Sequence, residues 1–463
     1  MTHASGTQSA AKLQKTLVLW HIIIIGLAYI QPMTLFDTFG LVSEESHFHV
    51  PTSYLFALVA ILLTSISYGH MIKRYPSSGS AYTYAQKSIH PNVGFMVGWS
   101  SWLDYLLSPM VNIILAVIYL EALFPAINHW IWVFGLTGIM TWVNLRGARF
   151  VANFNSLIVL FQIIVIGVFT FLVYQKLSIG LNADGKIADQ VNAYQLWSLA
   201  PFWNEMTSVG ALITGATLLC FSFTGFDSLS SLAEETKDTE KTLPKAIFMT
   251  ALIAGVIFVS STYFIQLYFP KDPTSYFTDI AATQPEILLL VGGSLFQSIV
   301  LSFAIVTVMA SGISAHAGVS RLMYVMGRDG IIDKKIFGHI DPKTFTPSYN
   351  ILIVGAVALC AGFMDLDLVI SLISFGALTA FSFVNLSVIS RYALRDGRTK
   401  SFKDLLNYVI IPICGFISIF ALWLEIEETS LKWGLIWAVI GVCYLGYKTK
   451  GFKYSAPQYN EHE

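Results

Sequence analysis

The chain has 463 residues, of which 55% are hydrophobic and only 12% are charged, and its mean hydropathy is +0.64. A soluble protein of this length would need far more charged surface, so the composition excludes a soluble globular protein and predicts an integral membrane protein. The net charge is only −1, but the basic and acidic residues are distributed very unevenly between the predicted loops.

The chain opens with the polar stretch MTHASGTQSAAKLQKT, which precedes an apolar run of full membrane-spanning length. No short apolar core is followed by an A-x-A-like cleavage site, so we expect no removable signal peptide. Apolar runs of about 20 residues, long enough to cross a bilayer as a helix, recur along the chain, whereas the period-two alternation of membrane strands is absent. The sequence therefore predicts an all-α membrane protein. About twelve spans are predicted, near residues 18–42, 52–72, 94–124, 129–146, 149–174, 207–233, 245–269, 286–316, 347–365, 367–390, 404–424 and 431–448.

The first and sixth spans carry interruptions at matching places. The first reads WHIIIIGLAYIQPMTLFDTFG, with Gly26 and Pro32 in mid-run, and the sixth reads LITGATLLCFSFTGFDSLSSL, with Gly225 in mid-run. Proline removes a backbone donor, and backbone groups freed inside a membrane are tolerated only where they line a polar cavity. A simple kink is the alternative for either span taken alone. A matched pair of interrupted helices five spans apart predicts a transporter built from two inverted repeats.

This pairing predicts the organisation of the chain. Each half contributes five helices, the first and sixth of them broken, and two further helices follow. The predicted segments are a cytoplasmic N-terminal segment (1–17), the first five-helix repeat (18–175), an extracellular loop (176–206), the second five-helix repeat (207–390), the last two transmembrane helices (391–449) and a cytoplasmic tail (450–463).

The basic residues gather on one side of the predicted membrane. With both termini in the cytoplasm, all 27 Lys and Arg residues lie on the cytoplasmic side except Lys176, Lys186, Lys271 and Lys432. This is the positive-inside pattern of membrane proteins, so we expect a multi-pass protein with both termini cytoplasmic. The outer loops hold about 14 carboxylates, which attract cations and repel anions.

Three carboxylates, Asp37, Asp104 and Asp227, lie well inside predicted spans, and no Lys or Arg lies inside any of these spans. A charge at the bilayer centre costs roughly 2.5–3.5 kcal/mol, so such a group takes a proton, a cation or hydrogen bonds. For Asp37 and Asp104, a helix cap or a bond to a neighbouring tyrosine is an open alternative. Asp227 follows Gly225 by two residues, and half-helix C-terminal ends at a break add partial negative charge. We therefore expect the break at Asp227 to bind a cation.

Aromatic residues cluster beside these breaks. Aromatic faces attract ammonium groups by about 0.5–2 kcal/mol each, although packing against lipid or core is the alternative for most of the 33 Phe. The cluster consists of Tyr29, Trp99, Trp102, Tyr105, Phe221 and Phe223. The four cysteines, Cys220, Cys360, Cys414 and Cys443, have no metal-ligand spacing and are expected to be reduced within predicted spans. We predict no metal site and no cofactor.

Three longer stretches resemble one transporter family. RYPSSGSAYTYAQKSIHPNVGFMVGWSSWLDY (74–105), with its Pro-x-x-Gly and Tyr-x-Tyr pattern, resembles the loop between the second and third spans of the amino acid–polyamine–organocation superfamily. FSFTGFDSLSSLAEETKD followed by LPKAI resembles its sixth helix and next loop, and SRLMYVMGRDG (320–330) resembles the signature after its eighth helix. Within the superfamily, the sequence looks similar to the bacterial putrescine importers. The resemblance implies a LeuT-like fold of two inverted five-helix repeats with two further helices.

The resemblance also implies roles for residues of the sixth span. Phe221 matches the gating aromatic residue of the family, and Asp227 matches an acidic position used for substrate or proton handling. The carbonyl groups of Ser222, Phe223 and Thr224 match the unwound stretch that binds the amine.

Other matches concern coupling and gating. Glu234 and Glu235 match an acidic pair at the cytoplasmic end, for which a solvated loop partnered by Lys237 and Lys241 is the alternative. His316 is a candidate proton relay, or equally a satisfied core histidine. Asp37 and Asp104 are further coupling or gating candidates.

One departure from the family concerns the first break. Amino acid transporters of the superfamily carry a small Gly-Ser-Gly-type stretch there, whose amides hold the substrate carboxylate, whereas this chain has Ala28-Tyr29-Ile30. These bulky residues suit a substrate that lacks a carboxylate.

The resulting hypothesis is a secondary active transporter that imports putrescine or a related polyamine across the cell inner membrane by proton-coupled alternating access. One ammonium group docks at Asp227, the other reaches Tyr29, Gln31 or Tyr105, Phe221 closes over the amine, and one repeat moves against the other. The expected partners are the diamine, protons and the lipid bilayer, not nucleic acid, and no oligomeric state is predicted.

Polyamine import has three alternatives. An amino acid permease, or an amino acid/polyamine exchanger, of the same superfamily is the principal one. A membrane enzyme is disfavoured because the ten histidines are scattered and no HExxH motif is present. A channel is disfavoured because no ring-forming filter motif is present.

Overall fold

The computed structural model describes residues 17–76, 80–146, 155–186, 197–204, 207–234, 236–328, 330–341, 344 and 346–456, and these ranges are almost entirely helical. The helices of the first half are α1 (Leu19–Ile30), α2 (Thr34–Asp37), α3 (Phe39–Glu45), α4 (Val50–Arg74), α5 (Ser80–Ser88), α6 (Pro91–Leu123), α7 (His129–Arg146) and α8 (Asn155–Ser178). Those that follow are α9 (Val209–Phe223), α10 (Thr239–Tyr268), α11 (Gln284–Arg328), α12 (Lys334–Phe337), α13 (Ser348–Ala358), α14 (Leu366–Val388), α15 (Phe402–Leu405), α16 (Ile411–Leu424) and α17 (Glu428–Lys448).

Short non-α segments extend or connect these helices. The 3-10 turns are Ser228–Glu234, Pro273–Ser275 and Leu359–Gly362, and the π-helical turns are Ile389–Arg395 and Leu406–Ile410. In the described part of the chain the only sheet is a small antiparallel hairpin after α8, formed by β1 (Leu181–Asn182) and β2 (Gly185–Lys186). Helix α8 runs to Ser178, so the loop predicted from residue 176 starts slightly later.

Ten helical stretches of the described chain are long and apolar enough to cross a bilayer. The two predicted spans outside this set are also helical. One is α7, and the other is α13 with the turn Leu359–Gly362, which together form a shorter apolar helix.

The helices pack in two groups that combine both halves of the chain. In the first, called the α4 group, α4 packs extensively against α10 and α9, and α1 packs against α10. In the second, called the α6 group, α6 packs extensively against α11, while α7 and α13 pack against α11 and each other. Helix α14 contacts α4 and α9 on one side and α6 on the other. The packing therefore groups equivalent helices of the two halves and not each half by itself.

A pair of tryptophans attaches the last helix to α6. The indole N–H of Trp99 donates to the carbonyl of Trp437 at 2.9 Å, and the indole N–H of Trp437 donates to the carbonyl of Trp99 at 2.8 Å. The two rings stack with their centroids 4.9 Å apart. These reciprocal bonds hold α17 on the α6 group.

The first break lies later in the chain than predicted. Gly26 and Ala28 are ordinary members of α1, which ends at Ile30, so they are not break residues. At Gly26 the absence of a side chain serves packing instead, because a Cβ there would lie 2.7 Å from Cγ2 of Thr250 on α10. The chain leaves the helix at Gln31, whose φ of 51° is left-handed, and Pro32 follows.

Helix α11 is longer than the predicted eighth span. It continues past residue 316 to Arg328, with a non-helical residue at Gly293 (φ 77°) near its start. The apolar run ends before the helix does, so the sequence pattern placed Arg321 and Arg328 in a loop, whereas both lie on α11.

Candidate functional site

The first break is held in place by side chains from two neighbouring helices. The side-chain amide of Gln31 donates to Oδ1 of Asn112 on α6 at 3.1 Å, and the N–H of Met33 donates to Oε1 of Gln162 on α8 at 3.2 Å. Within the break, the N–H and the hydroxyl of Thr34 both donate to the carbonyl of Gln31 at 2.9 Å. Backbone groups released from the helix are thereby satisfied inside the protein, as a membrane environment requires.

The second break begins at Thr224, whose N–H and hydroxyl both donate to the carbonyl of Phe221, at 2.9 and 2.7 Å. Gly225 follows with φ 106°, a conformation that other L-residues rarely adopt. A Cβ at Gly225 would lie 2.9 Å from Cβ of Tyr29, so the second break touches the last turn of α1, just before the first break.

A cavity of about 620 Å³ adjoins both breaks. It extends along α6 from Leu115 to Phe95 and reaches Ser80 on α5 and Arg328 at the C-terminal end of α11. The cavity therefore leads from the breaks towards one end of the bundle. The predicted substrate residues that line it are Tyr29, Gln31, Tyr105, Phe221, Thr224 and Asp227.

Two predicted substrate residues, Ser222 and Phe223, belong to the last turn of α9 and do not line this cavity. Oγ of Ser222 accepts a hydrogen bond from the Tyr54 hydroxyl at 3.2 Å, and the Phe223 ring lies 5.2 Å from that of Phe258. The unwound stretch begins after them because α9 is regular through Phe223.

Asp227 is the carboxylate at the second break, and only 8% of its surface is exposed. Its Oδ1 accepts the N–H of Gly225 at 3.3 Å, and its Oδ2 accepts the hydroxyl of Tyr105 at 3.4 Å. The Tyr105 hydroxyl also lies 3.3 Å from Oγ of Ser228. Within the described residues Asp227 forms no ion pair. The group is thus oriented by neutral donors, and no cationic side chain of the described residues pairs with it.

Helix α6 presents a polar face to the cavity at intervals of four residues: Asp104, Ser108 and Asn112. Asp104 is 8% exposed and, like Asp227, has no ion-pair partner in the ranges the structure describes. The Ser108 hydroxyl donates to the carbonyl of Asp104 at 3.0 Å, and the Asn112 amide donates to the carbonyl of Ser108 at 2.9 Å. The second carboxylate of the cavity therefore comes from the α6 group.

Asp37 lies outside this cavity, in a closed polar contact. The Tyr119 hydroxyl lies 2.9 Å from each of its carboxylate oxygens and donates to them, and it also lies 3.3 Å from Oε1 of Gln284. The backbone N–H of Thr283 donates to the carbonyl of Asp37 at 3.2 Å. The contact joins α2, α6 and the start of α11, and it lies beyond the end of the cavity. The bond to Tyr119 is the alternative role that the sequence left open for Asp37.

Of the remaining coupling candidates, only His316 has a described side chain, and it does not line the cavity. His316 is fully buried, with Nε2 2.9 Å from the carbonyl of Ile351, and Nδ1 has no partner in the described residues. His316 is therefore a buried core residue, as in the second interpretation of the sequence, except that one of its two ring nitrogens has no partner among the described residues. Glu234 ends a 3-10 turn, and its side chain lies outside the described part of the structure. Glu235 lies outside the described residues altogether.

Sequence reasoning missed four polar residues of the site. Ser108 and Asn112 lie inside an apolar span, and their spacing from Asp104 is a signal that a search for polar stripes would find. Arg321 and Arg328 line the cavity near its opening. They lie on the part of α11 that continues beyond the apolar run, and no sequence signal marks this continuation. Arg321 is exposed and makes no ion pair among the described residues.

An acidic group lies at the other end of the bundle, outside the membrane-spanning helices. Glu44 and Glu45 end α3, and Glu427 precedes α17. Partial burial, followed by the charges of Glu44 and Glu427, raises the pKa of Glu45, while His47 opposes this shift. Carboxylates distant in sequence thus gather beyond the closed contact of Asp37.

Comparisons with known proteins place the chain in a family. The sequence profile of the amino acid permease family matches residues 21–452. The chain is 54% identical over 453 residues to the low-affinity putrescine importer PlaP of Escherichia coli (strain K12), with 98% of each chain covered. It is 23% identical over 465 residues to the branched-chain amino acid permease BcaP of Bacillus subtilis (strain 168), with 97% of this chain and 96% of the relative covered. It is 24% identical over 469 residues to the lysine-specific permease LysP of E. coli (strain K12), with 96% and 93% covered.

A solved structure agrees with the fold. A Na⁺-coupled sialic acid symporter, in a substrate-bound outward-open state, aligns over 90% of both chains with a TM-score of 0.56 and 12% identity. At this identity the likeness concerns the fold alone, and it confirms the predicted all-α, LeuT-like membrane fold. The chain therefore belongs to the amino acid permease family of the amino acid–polyamine–organocation superfamily and is a multi-pass membrane transporter.

Proposed function

We propose that this transporter imports putrescine or a related polyamine across the cell inner membrane by proton-coupled alternating access, with both termini in the cytoplasm. The observation that carries the proposal is Asp227, a buried carboxylate without an ion-pair partner in the described residues, which lines a cavity of about 620 Å³ where two helices are interrupted. Unpaired carboxylates are rare in membrane interiors and mark cation or proton sites.

The chemistry around Asp227 favours an ammonium group. Tyr29, Tyr105 and Phe221 place aromatic rings on the same cavity, and such rings add about 0.5–2 kcal/mol each to the binding of a cation. An ammonium ion donates three hydrogen bonds, which Asp227 and the carbonyl groups at the break can accept.

The first break offers little to a substrate carboxylate. Helix α1 is regular through Ile30, and the N–H of Gln31 already donates to the carbonyl of Leu27 at 3.1 Å. Free amides that would hold a carboxylate are therefore not exposed along Ala28-Tyr29-Ile30. The 54% identity to PlaP, which is named as a putrescine importer, supports the same substrate class.

Membrane voltage supplies a large driving force for such a substrate. Each positive charge that moves inward across 100 mV gains about 2.3 kcal/mol, so a dication gains about 4.6 kcal/mol, equivalent to a gradient of more than about a thousandfold. A proton that moves inward together with the amine adds to this driving force, but it needs a binding group other than Asp227, which the amine occupies. If the proton bound Asp227, the amine would displace it, and the proton would move in the direction opposite to the amine. We therefore propose Asp37, outside the cavity, as the proton-binding group.

For orientation, we propose that the cavity leads to the cytoplasm. Its open end lies beside Arg321 and Arg328 of α11, in the most basic region of the predicted topology, whereas Glu44, Glu45 and Glu427 mark the opposite end. The alternating movement then takes place between the α4 group and the α6 group. Each of these groups contains helices of both repeats, so the movement differs from the predicted movement of one repeat against the other.

The test is uptake of labelled putrescine into proteoliposomes under an inside-negative voltage. Asp227→Asn keeps the size of the side chain but removes its charge, and we expect a loss of about 10- to 100-fold in uptake efficiency. Asp365→Asn makes the same chemical change at an exposed position before α14 and is expected to retain wild-type uptake. Full uptake by Asp227→Asn would contradict the docking role. Uptake that does not respond when the proton gradient is collapsed at constant voltage would exclude proton coupling.

A second candidate function is supported by Arg321. This exposed cation lines the same cavity as Asp227, so a substrate with both an amino group and a carboxylate could contact both. An amino acid permease, or an amino acid/polyamine exchanger, is therefore the second candidate. Competition with labelled putrescine distinguishes the two: leucine, arginine and γ-aminobutyrate competing as well as putrescine would favour the permease.

A further inference from the structure

Two carboxylates on different helix groups share the cavity. Asp227 belongs to the break after α9, and Asp104 belongs to α6. Each is 8% exposed, each lines the cavity, and neither has an ion-pair partner in the part of the chain that the structure describes.

The surroundings of Asp104 restrict where its carboxylate lies. Helix α14 packs tightly behind it, because a Cβ added to Gly376 would lie 2.9 Å from Cβ of Asp104 and 2.8 Å from the carbonyl oxygen of Ser100. The side chain has no room on that face, and it contributes to the cavity wall on the other. Tyr105, the next residue of α6, donates its hydroxyl to Asp227. One short segment of α6 therefore orients the first carboxylate and supplies the second.

A pair of acids that line one cavity favours a ligand with two positive charges. A single ammonium group pairs with one carboxylate and leaves the other without a cation, so that this second acid either takes a proton or stays charged at a cost in the membrane interior. A diamine neutralises both, and its methylene chain lies in the aromatic and apolar cavity between them.

We propose that Asp104 binds the second ammonium group of the substrate, so that the Asp104 and Asp227 pair selects diamines over monoamines. This inference rests on the proposed function and names a partner for the amine end that does not contact Asp227. The residues that the sequence predicts for this second end, Tyr29, Gln31 and Tyr105, are neutral.

The experiment compares amines that differ in one charge. Uptake of labelled putrescine is competed with unlabelled putrescine and with 1-aminobutane, which has the same chain and one ammonium group. In the wild type we expect putrescine to compete at a concentration at least about tenfold lower than 1-aminobutane, because a charged hydrogen bond of typical strength gives this ratio. In Asp104→Asn we expect the ratio to fall towards one.

A second variant distinguishes the loss of the charge at position 104 from misfolding. Asp104→Glu keeps the charge and moves it about one methylene further into the cavity, so it should retain diamine selectivity and shift the preferred chain from four carbons towards three. The control Asp365→Asn should keep the wild-type ratio, and each variant is checked for a monodisperse profile on size-exclusion chromatography.

The outcomes separate this inference from the proposed function. If the wild type takes up putrescine and Asp104→Asn keeps the wild-type ratio, the second-site role of Asp104 is wrong while polyamine import stands. If no amine is taken up by the wild type, both proposals fail.

Discussion

Gly225 is the residue on which the close approach of the second break to the end of α1 depends. Its φ of 106° lies in the region that favours glycine, and its missing side chain leaves room for Tyr29. Asp227 is then oriented through the N–H of the same glycine. A single residue thus combines a backbone conformation, a close approach and a hydrogen bond to the carboxylate.

We predict that Gly225→Ala destabilises the protein by about 2–4 kcal/mol, because a positive φ in a non-glycine residue and an overpacked contact with Tyr29 add together. The measurement is thermal unfolding in detergent, followed by size-exclusion chromatography, together with putrescine uptake. Gly167→Ala is the matched control, since a Cβ there would meet nothing within 4 Å on the regular helix α8. Equal stability of the two variants would show that the break tolerates a side chain at position 225.

At the scale of single elements, the short helix α2 is held at the closed end of the site by one phenol. The Tyr119 hydroxyl donates to Asp37, and Gln284 at the start of α11 lies beside it. The N–H of Gly40 also donates to the Thr283 hydroxyl at 3.3 Å, so the same segment contacts α2 and α3. Opening this end of the bundle requires these bonds to break, which makes the contact a candidate gate.

Two substitutions in this contact separate gating from proton binding. Asp37→Asn removes an ionisable group and alters the contact, whereas Tyr119→Phe removes only the hydroxyl. We expect both to change the rate of voltage-driven putrescine uptake, because each weakens the closed contact by roughly 1–3 kcal/mol. Only Asp37→Asn is expected to abolish stimulation by an inward proton gradient, measured in proteoliposomes with the voltage clamped by potassium and valinomycin. Stimulation that persists in Asp37→Asn would move the proton site elsewhere.

The sequence predicted the elements better than their ends. Gly225, Pro32 and the three buried acids carry local signals, since each is out of place in an apolar helix. The register of the first break was missed because it depends on Asn112 and Gln162, which bond to residues about a hundred positions away and leave no local trace. The end of α11 was missed because an apolar run measures the thickness of the hydrocarbon and not the length of a helix.

At the scale of the whole molecule, the cavity reaches one end of the bundle only. It passes Ser314 on α11 and Arg321, and its far end stops short of Tyr119. Carboxylates gather at the opposite end, where Asp365 precedes α14. The alternating access that we propose requires two states, and a cavity that leads to one end of the bundle is what we expect of one of them.

Cysteine labelling tests which membrane face the cavity reaches. In a background where the exposed Cys360, Cys414 and Cys443 are replaced by serine, Ser314→Cys should react with an impermeant maleimide in inside-out vesicles and be protected by putrescine. Asp365→Cys should react in right-side-out vesicles instead. Labelling of both positions from one face would contradict the proposed orientation.

The reciprocal indole bonds between Trp99 and Trp437 have a mechanical consequence. They attach α6 to α17, so the helix that carries Asp104 is braced by a further helix, whereas Asp227 lies at the break after α9, in the α4 group. A diamine held by both acids would bridge the α4 group and the α6 group. If one group moved against the other, the two acids would separate and could no longer both hold the diamine, so release on the far side would follow from the movement itself.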